Sequence, residues 1–293
     1  MNNPFKGSGV ALVTPFNEDL SIDFDALRKL VRYQIDNGTD FLVVQGTTGE
    51  SPVLSKEEKL EVLKTVQEEN AGALKIVFGV GGNDTVQVGE FLKSLPSGID
   101  GILSVSPYYN KPTQRGIIEH YKYLAECTDL PIILYNVPGR TGSNVLASTT
   151  LELAKINNVV AMKEASGSFE QIMGIVQNKP DGFGVLSGDD AITMPLMTVG
   201  VEGVISVVAN AFPKQFSSMV NNVLNGEFEK AKNEHYNLLP ITHKLFEEGN
   251  PGGVKVALAK QGIMKPFMRR PLYPVSDDLR YRIEKETERI LTE

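Results

Sequence analysis

The strongest constraint on the fold is a strand–helix unit that occurs eight times along the chain. Short runs of apolar and β-branched residues alternate with amphipathic segments, such as D-F-D-A-L-R-K-L-V-R-Y-Q-I-D from Asp23. Another amphipathic segment follows Ser55, which with Glu58 predicts a capping box at the start of a helix. The predicted strands are Gly9–Thr14, Phe41–Gln45, Lys75–Val80, Gly101–Val105, Pro131–Tyr135, Val159–Lys163, Phe183–Leu186 and Gly203–Val207.

A repeated strand–helix unit implies parallel strands joined by right-handed crossovers. Eight such units within the first 225 of the 293 residues predict an α/β chain folded as a closed (β/α)8 TIM barrel. The alternative is an open, doubly wound sheet, which carries a G-x-G-x-x-G turn after its first strand. That turn is absent after Gly9–Thr14, and the run Gly79-Val80-Gly81-Gly82-Asn83 has the wrong spacing. The closed barrel is therefore favoured.

The strand pattern stops near Gly226. Three helical patterns follow, starting at about Glu227, Gly252 and Ser276. We therefore predict a catalytic barrel over residues 1–225 and a helical C-terminal extension over residues 226–293.

Charge and composition narrow the class of partner. The net charge is −7 and the chain has no Lys/Arg-rich run, which argues against a nucleic acid or an anionic membrane as partner. The N-terminal stretch M-N-N-P-F-K-G-S-G-V lacks the apolar segment of a signal peptide. No apolar run approaches the ~20 residues that span a bilayer. We expect a cytoplasmic protein that acts on small molecules.

The predicted strand ends carry an unusual set of side chains, at the end of the barrel where such folds place their chemistry. Turn propensity explains glycine, proline and asparagine at these junctions, but not two tyrosine sites, a threonine pair and a lysine. The junctions read T-P from Thr14, G-T-T-G-E from Gly46, G-G-N from Gly81, S-P-Y-Y-N from Ser106, Y-N-V-P-G-R-T-G from Tyr135, K-E-A-S-G from Lys163, S-G-D-D from Ser187 and S-V-V-A-N from Ser206.

Lys163 ends the apolar run V-V-A-M-K. Strand alternation puts Val159, Ala161 and Lys163 on one face, and one face of a barrel strand is the packed interior. Desolvation there favours the neutral amine, which is a nucleophile toward a ketone and forms a Schiff base with it. The alternative is a lysine that simply reaches solvent where its strand ends.

A metal is the other common way to polarise a carbonyl, usually through histidine ligands. The three histidines, His120, His235 and His243, lie in helical patterns and form no ligand cluster in the sequence. Asp189 and Asp190 are candidate ligands for a cation. The alternative interpretation is that they cap turns and form hydrogen bonds within their loop. We expect metal-free amine catalysis and no cofactor.

The substrate is predicted to carry carboxylates rather than phosphate. Barrel phosphate sites use the loops after strands seven and eight, and here the acidic S-G-D-D loop would repel phosphate. Thr47 and Thr48 offer hydroxyl and backbone N–H donors, and Arg140 offers a bidentate fork for a carboxylate. Tyr135 and Tyr109 are candidate proton relays, with packing at the rim as the alternative.

Five motifs occur in order: G-T-T-G-E, S-P-Y-Y-N-K-P-T-Q, Y-N-V-P-G-R-T-G, K-E-A-S-G and S-G-D-D. Together they resemble the dihydrodipicolinate synthase family of pyruvate-dependent class I aldolases, which also contains N-acetylneuraminate lyase. The resemblance covers essentially the whole chain. It implies condensation of pyruvate with L-aspartate 4-semialdehyde, followed by cyclisation to the precursor of diaminopimelate and lysine. It also implies a homotetramer built as a dimer of dimers.

The resemblance further implies a catalytic set. Lys163 forms the Schiff base with pyruvate, and Tyr135 donates and accepts the proton near that imine. Thr47 links Tyr135 by hydrogen bonds to Tyr109, which a neighbouring subunit supplies.

The substrate-binding set follows from the same resemblance. Thr48 and the Ile205 backbone hold the pyruvate carboxylate, and Arg140 binds the carboxylate of the second substrate. The resemblance also implies that Gly188, in the S-G-D-D motif, is a substrate-binding residue.

Two other functions stay open. One is another pyruvate-dependent lyase, such as N-acetylneuraminate lyase or a keto-deoxy sugar acid aldolase. Sialic-acid lyases typically lack an arginine at the place of Arg140 and carry Ser-Thr where this chain has Thr47-Thr48, which favours the synthase. The other is a non-catalytic sensor or scaffold, which has no need of Lys163, Tyr135 and Thr47 together.

One departure from the family bears on regulation. Members inhibited by lysine bind it with a histidine after G-T-T-G-E and a glutamate after the third strand. Lys59 and Gln87 occupy those places here, with Lys56 at another histidine-bearing place. A cationic ligand would lose a carboxylate partner and meet a like charge, so we expect weak or absent inhibition by lysine.

Overall fold

A computed structural model describes residues 3–292. Its eight parallel strands form a closed barrel in chain order, which confirms the predicted fold. The strands are β1 (Gly7–Ala11), β2 (Phe41–Val44), β3 (Lys75–Gly79), β4 (Gly101–Val105), β5 (Ile132–Asn136), β6 (Val159–Glu164), β7 (Gly184–Ser187) and β8 (Gly203–Ser206).

Helices follow the strands, and the last three form the predicted C-terminal helical segment. Within residues 3–292, no helix combines the length and the apolar character needed to cross a bilayer. The helices are α1 (Phe24–Asp36), α2 (Lys56–Asn70), α3 (Thr85–Lys93), α4 (Gln114–Glu126), α5 (Pro138–Thr141), α6 (Ala147–Leu153), α7 (Phe169–Asn178), α8 (Thr193–Thr198), α9 (Pro213–Leu224), α10 (Phe228–Phe246), α11 (Gly252–Lys260) and α12 (Asp277–Thr292).

The chain divides into two compact units. The first unit comprises residues 3–7 and Lys75–Ile205, and the second comprises Ser8–Leu74 and residues 206–292. Each is described by itself below.

In the first unit, the strands from β3 to β8 pair in parallel, and the β5–β6 ladder contains one irregularity. Ile132 lies opposite Val159 but Ile133 lies opposite Ala161, so one residue of β6 is extra at this point. Beyond this bulge the register is regular, and Tyr135 lies opposite Lys163. All six residues of β6 are buried, as expected for a strand inside a barrel.

In the second unit, β1 pairs with β2, with Gly9 opposite Phe41. A side chain at Gly9 would collide with the Phe41 ring, which explains the glycine. The first strand was predicted to run on to Thr14, and that boundary is wrong. It ends at Ala11 because the Val13 N–H donates to the side-chain oxygen of Asn210, at 3.1 Å, instead of to a neighbouring strand.

Two predicted helix starts in the second unit are confirmed. Asp23 caps α1 by accepting a hydrogen bond from the Ala26 N–H at 2.9 Å. Ser55 and Glu58 form the capping box of α2: the Glu58 N–H donates to the Ser55 hydroxyl at 3.2 Å, and the Ser55 N–H donates to the Glu58 carboxylate at 2.9 Å. Caps of this kind stabilise a helix by about 1 kcal/mol.

Candidate active site

Lys163 occupies the penultimate position of β6 and is 5% exposed. Its register partners are Tyr135 on β5 and Leu186 on β7. The Lys163 Nζ atom lies 4.4 Å from the centroid of the Tyr135 ring, and Tyr135 is itself buried. The prediction that Lys163 is buried is therefore confirmed, and the alternative of a solvent-reaching lysine is wrong.

A second buried lysine, Lys255 on α11, shows what a structural ammonium needs in this protein. Lys255 forms an ion pair with Glu50 and donates to the carbonyl oxygens of Thr14 and Phe267, each at 2.8 Å. All three of its N–H groups are thus used. Within residues 3–292, Lys163 forms no ion pair and no hydrogen bond through its amine. Its Nζ atom is therefore available to contact a ligand.

Gly188, after β7, packs directly against the Lys163 side chain. Its N–H donates to the Glu164 carbonyl oxygen at 2.8 Å. A Cβ atom at Gly188 would lie 3.0 Å from the Lys163 Cε atom and 2.7 Å from the Ala165 Cβ atom. Only glycine leaves the lysine side chain where it is, so the structure brings together Gly188, Lys163 and Tyr135.

Arg140 lies in α5, the short helix that begins two residues after β5. It is exposed, and no carboxylate within residues 3–292 pairs with its guanidinium. A planar fork without an internal partner is suited to a ligand carboxylate. Ile205 lies inside β8 and is buried, so any contribution to binding comes from its backbone.

Tyr109 follows β4 and is 87% exposed. Its φ angle of 73° lies in the left-handed region, where a residue with a side chain is strained. Its N–H donates to the Thr141 carbonyl oxygen at 3.4 Å, which ties this turn to the end of α5. Within the first unit, the Tyr109 ring is left without a packing surface of its own.

In the second unit, Thr47 and Thr48 begin a single 3-10 turn that ends at Gly49. The turn is flanked by Gln45 at φ 64° and Glu50 at φ 56°, both in the left-handed region. Strain on both sides of a two-threonine turn is typical of a functional loop. The Thr48 hydroxyl accepts a hydrogen bond from the Asn250 side-chain amide at 3.0 Å. The predicted link from Thr47 to Tyr135 stays a prediction.

The ion pair between Glu50, which directly follows this turn, and Lys255 was not predicted from the sequence. Both side chains are fully buried, and Lys255 Nζ also lies 4.5 Å from the centroid of the Phe16 ring. The second oxygen of Glu50 accepts a hydrogen bond from the Arg269 N–H at 3.1 Å. Burial lowers the pKa of Lys255 to about 8, against the upward pull of Glu50. One signal was available: Lys255 is a charge in the middle of the otherwise apolar stretch G-G-V-K-V-A-L-A.

Asp189 and His120, two of the residues considered as metal ligands, each have a structural partner. Asp189 caps the turn after β7 by accepting from the Ala191 N–H at 3.1 Å. His120 is buried beside Thr85, with 2.8 Å between the His120 Nδ1 atom and the Thr85 hydroxyl, and burial lowers its pKa to about 4. Across the described residues 3–292, no three His, Cys, Asp or Glu side chains form a group that could hold a metal ion.

Fold and amine together define a class of enzyme, the Schiff-base-forming lyases built on a (β/α)8 barrel. The family model described as the dihydrodipicolinate synthetase family matches residues 4–290. The chain belongs to this family. It is a pyruvate-dependent class I lyase of amino-acid biosynthesis, and the predicted enzyme class is confirmed.

Individual relatives agree with this assignment. The 4-hydroxy-tetrahydrodipicolinate synthase of Parabacteroides distasonis is 54% identical over 92% of this chain and 91% of its own length. The crystal structure of the Aquifex aeolicus dihydrodipicolinate synthase matches with a TM-score of 0.95 and 40% identity over 98% of both chains. The chloride-inhibited enzyme of Acinetobacter baumannii, solved in complex with pyruvate, matches with a TM-score of 0.94 and 38% identity over 97% of this chain and 98% of its own. The activity of the family predicted from the sequence, 4-hydroxy-tetrahydrodipicolinate synthesis, is thereby confirmed.

Proposed function

We propose that Lys163 binds pyruvate as a Schiff base and that the resulting enamine condenses with L-aspartate 4-semialdehyde, in diaminopimelate and lysine biosynthesis. The single observation that carries this proposal is the buried Lys163 amine, which forms no ion pair or hydrogen bond within residues 3–292 and lies 4.4 Å from the Tyr135 ring centroid. The pyruvate complex of the Acinetobacter baumannii relative supports the choice of the first substrate.

The chemistry uses the amine as an electron sink. The neutral Lys163 amine attacks the keto carbon of pyruvate, and loss of water gives an iminium ion. Loss of a methyl proton converts the iminium to an enamine, whose carbon attacks the aldehyde carbon of the second substrate. Tyr135 is suited to move these protons because its register position places it beside Lys163.

Carboxylate recognition is divided among three groups in this proposal. The Thr48 hydroxyl and the Ile205 backbone hold the pyruvate carboxylate. Arg140, which has no carboxylate partner within residues 3–292, binds the carboxylate of the second substrate. Leaving that carboxylate unpaired in a dry site would cost free energy, so the arginine discriminates between aldehydes. Thr47 completes the relay from Tyr135 to Tyr109.

The exposed Tyr109 supports an assembly in which a neighbouring subunit uses its ring. The Tyr109 side chain is 87% exposed on a strained turn, so it packs little against its own unit. We propose a homotetramer, built as a dimer of dimers, in the cytoplasm. We also propose that residues 226–293 are a helical region added to a barrel of residues 1–225, a boundary that falls where α9 ends near Asn225.

N-acetylneuraminate lyase, another kind of pyruvate-dependent lyase, provides the reference activity for an assay of specificity. Turnover is measured with L-aspartate 4-semialdehyde and with N-acetylneuraminate, and we expect turnover of the first only. The Arg140→Ala variant is expected to keep the pyruvate adduct on Lys163 and to lose most turnover. Arg28→Ala removes a guanidinium from the exposed pair with Glu68 and should behave as the wild type. Wild-type turnover by Arg140→Ala contradicts the role given to Arg140.

A further inference from the structure

A buried carboxylate lies one residue beyond the catalytic pair, on the opposite side of the same two strands. The pair after Tyr135 and Lys163 in the β5–β6 register is Asn136 and Glu164. Successive side chains of a strand point to opposite faces, so Asn136 and Glu164 face away from the catalytic side. Asn136 is 0% exposed and Glu164 is 1% exposed.

Glu164 is a buried anion held by neutral donors. The Asn136 side-chain amide reaches both carboxylate oxygens, at 3.1 and 3.0 Å. The Gln171 side-chain amide donates at 2.9 Å and the Ser166 N–H donates at 2.7 Å. Within the described residues 3–292, no lysine, arginine or histidine forms an ion pair with Glu164. A charge in such a place is costly to bury, and only a full set of hydrogen bonds makes it tolerable.

The donors are themselves held in fixed orientations. The Asn136 side-chain oxygen accepts from the Val145 N–H at 3.0 Å, and its amide also donates to the Asn144 side-chain oxygen at 2.7 Å. The Asn144 amide in turn donates to the Gln171 side-chain oxygen at 2.7 Å. Each amide is therefore fixed by a partner that specifies which end faces Glu164. The network joins β5, β6, α7 and the segment before α6.

The position of this network matters because the β5–β6 ladder contains a bulge. The register shifts between Ile132 and Ile133, on the side of the ladder remote from the catalytic pair. A slip of one residue in a strand turns every side chain to the other face. The Asn136–Glu164 contact is the last pair of the ladder, and it fixes the register at the end where Tyr135 and Lys163 lie.

We propose that Glu164 is a positioning residue, whose amide-held carboxylate keeps the Lys163 amine aligned with the Tyr135 ring for the chemical steps. This inference rests on the proposed role of Lys163 as the Schiff-base residue. Glu164 faces away from the substrate side, so it acts on the rate of the chemistry through the geometry of its neighbour.

The test is Glu164→Gln, which keeps the size but sets an NH2 group against the amides of Asn136 and Gln171. A misplacement of about 1 Å costs on the order of 10²-fold in rate, so we expect kcat to fall by about that factor. The KM for pyruvate should change by much less, because the carboxylate-binding groups are elsewhere. The matched control is Glu202→Gln, which removes the ion pair with Lys179 in the same unit and should leave kcat unchanged.

The double variant Asn136→Asp with Glu164→Gln exchanges the two groups, so that an amide on β6 again faces a carboxylate on β5. We expect it to recover at least about tenfold of the lost kcat, which is a coupling that independent sites do not show. Turnover is expressed per Lys163 that can be trapped with pyruvate and borohydride, which removes the effect of any misfolded fraction. Wild-type turnover per trapped site in Glu164→Gln, or no recovery in the double variant, overturns the proposal.

The proposed function and the positioning role of Glu164 are refuted by different results. If wild-type protein gives no pyruvate adduct on Lys163, the proposed function fails. If the wild type gives the adduct and Glu164→Gln turns over normally per trapped site, only the positioning role of Glu164 fails.

Discussion

Gly188→Ala offers a direct test of the geometry around the proposed Schiff-base lysine, Lys163. The added Cβ atom would lie 3.0 Å from the Lys163 Cε atom and 2.7 Å from the Ala165 Cβ atom. Carbon atoms in contact prefer about 3.5–4.0 Å, so the lysine side chain must move by roughly 0.5–1 Å. Because Ala165 has no freedom to rotate away, most of the displacement falls on Lys163.

The expected effect follows from that displacement. A shift of this size in a reacting group costs on the order of 10²-fold in rate. Overpacking of the site also destabilises the fold by about 1–3 kcal/mol, which leaves a folded protein under assay conditions. We therefore expect Gly188→Ala to form the pyruvate adduct slowly and to lose about 10²-fold in kcat.

The assay compares the rate of pyruvate trapping by borohydride with steady-state turnover. Gly174→Ala is the matched control, because Gly174 lies in α7 of the same unit with nothing within 4 Å of the added Cβ atom. That control should keep wild-type turnover and gain up to about 1 kcal/mol of stability from its higher helix propensity. Wild-type trapping and kcat in Gly188→Ala would refute the contact between Gly188 and the lysine side chain.

Three further outcomes are expected. Lys255→Met removes the ion-pair partner of the buried Glu50 carboxylate, so the free energy of unfolding should fall by about 3–5 kcal/mol in chemical denaturation. Lys260→Met, from an exposed pair, should cost less than about 1 kcal/mol, and equal losses would contradict this. His120 has a folded-state pKa of about 4 against 6.5 when unfolded, so stability that is present above pH 6.5 is lost as the pH falls toward 4. The slope of unfolding free energy against pH in that window should be smaller in His120→Asn, and an unchanged slope rejects the assignment. Activity across a lysine titration is expected to change little, because Lys59 would repel a cationic ligand and Gln87 offers it no carboxylate. Strong inhibition at sub-millimolar lysine contradicts that hypothesis.

Much of the barrel could be predicted because the local sequence pattern of each strand and helix indicates its type. The apolar run that ends at Lys163 predicted its burial correctly, and the Ser55–Glu58 spacing predicted a cap that is present. The start of β1 was misplaced by two residues. Gly7 and Ser8 have little intrinsic strand preference, and pairing within the barrel overrides it.

The supporting contacts of the site could not be read from local patterns. The Glu50–Lys255 pair joins residues that are 205 positions apart, and nothing near either residue specifies the other. Asn136 and Glu164 are 28 positions apart and meet only because the β5–β6 register places them side by side. The left-handed backbone of Tyr109 is equally hidden, since tyrosine does not favour that region.

The central claim is that the unpaired amine of Lys163 forms the covalent bond to pyruvate. Incubation with pyruvate and borohydride, followed by peptide mass mapping, measures this directly. We predict a reduced pyruvyl adduct on the peptide that contains Lys163, no adduct on the buried but fully hydrogen-bonded Lys255, and no adduct in Lys163→Met. An adduct on another lysine, or no adduct in active protein, would contradict the account.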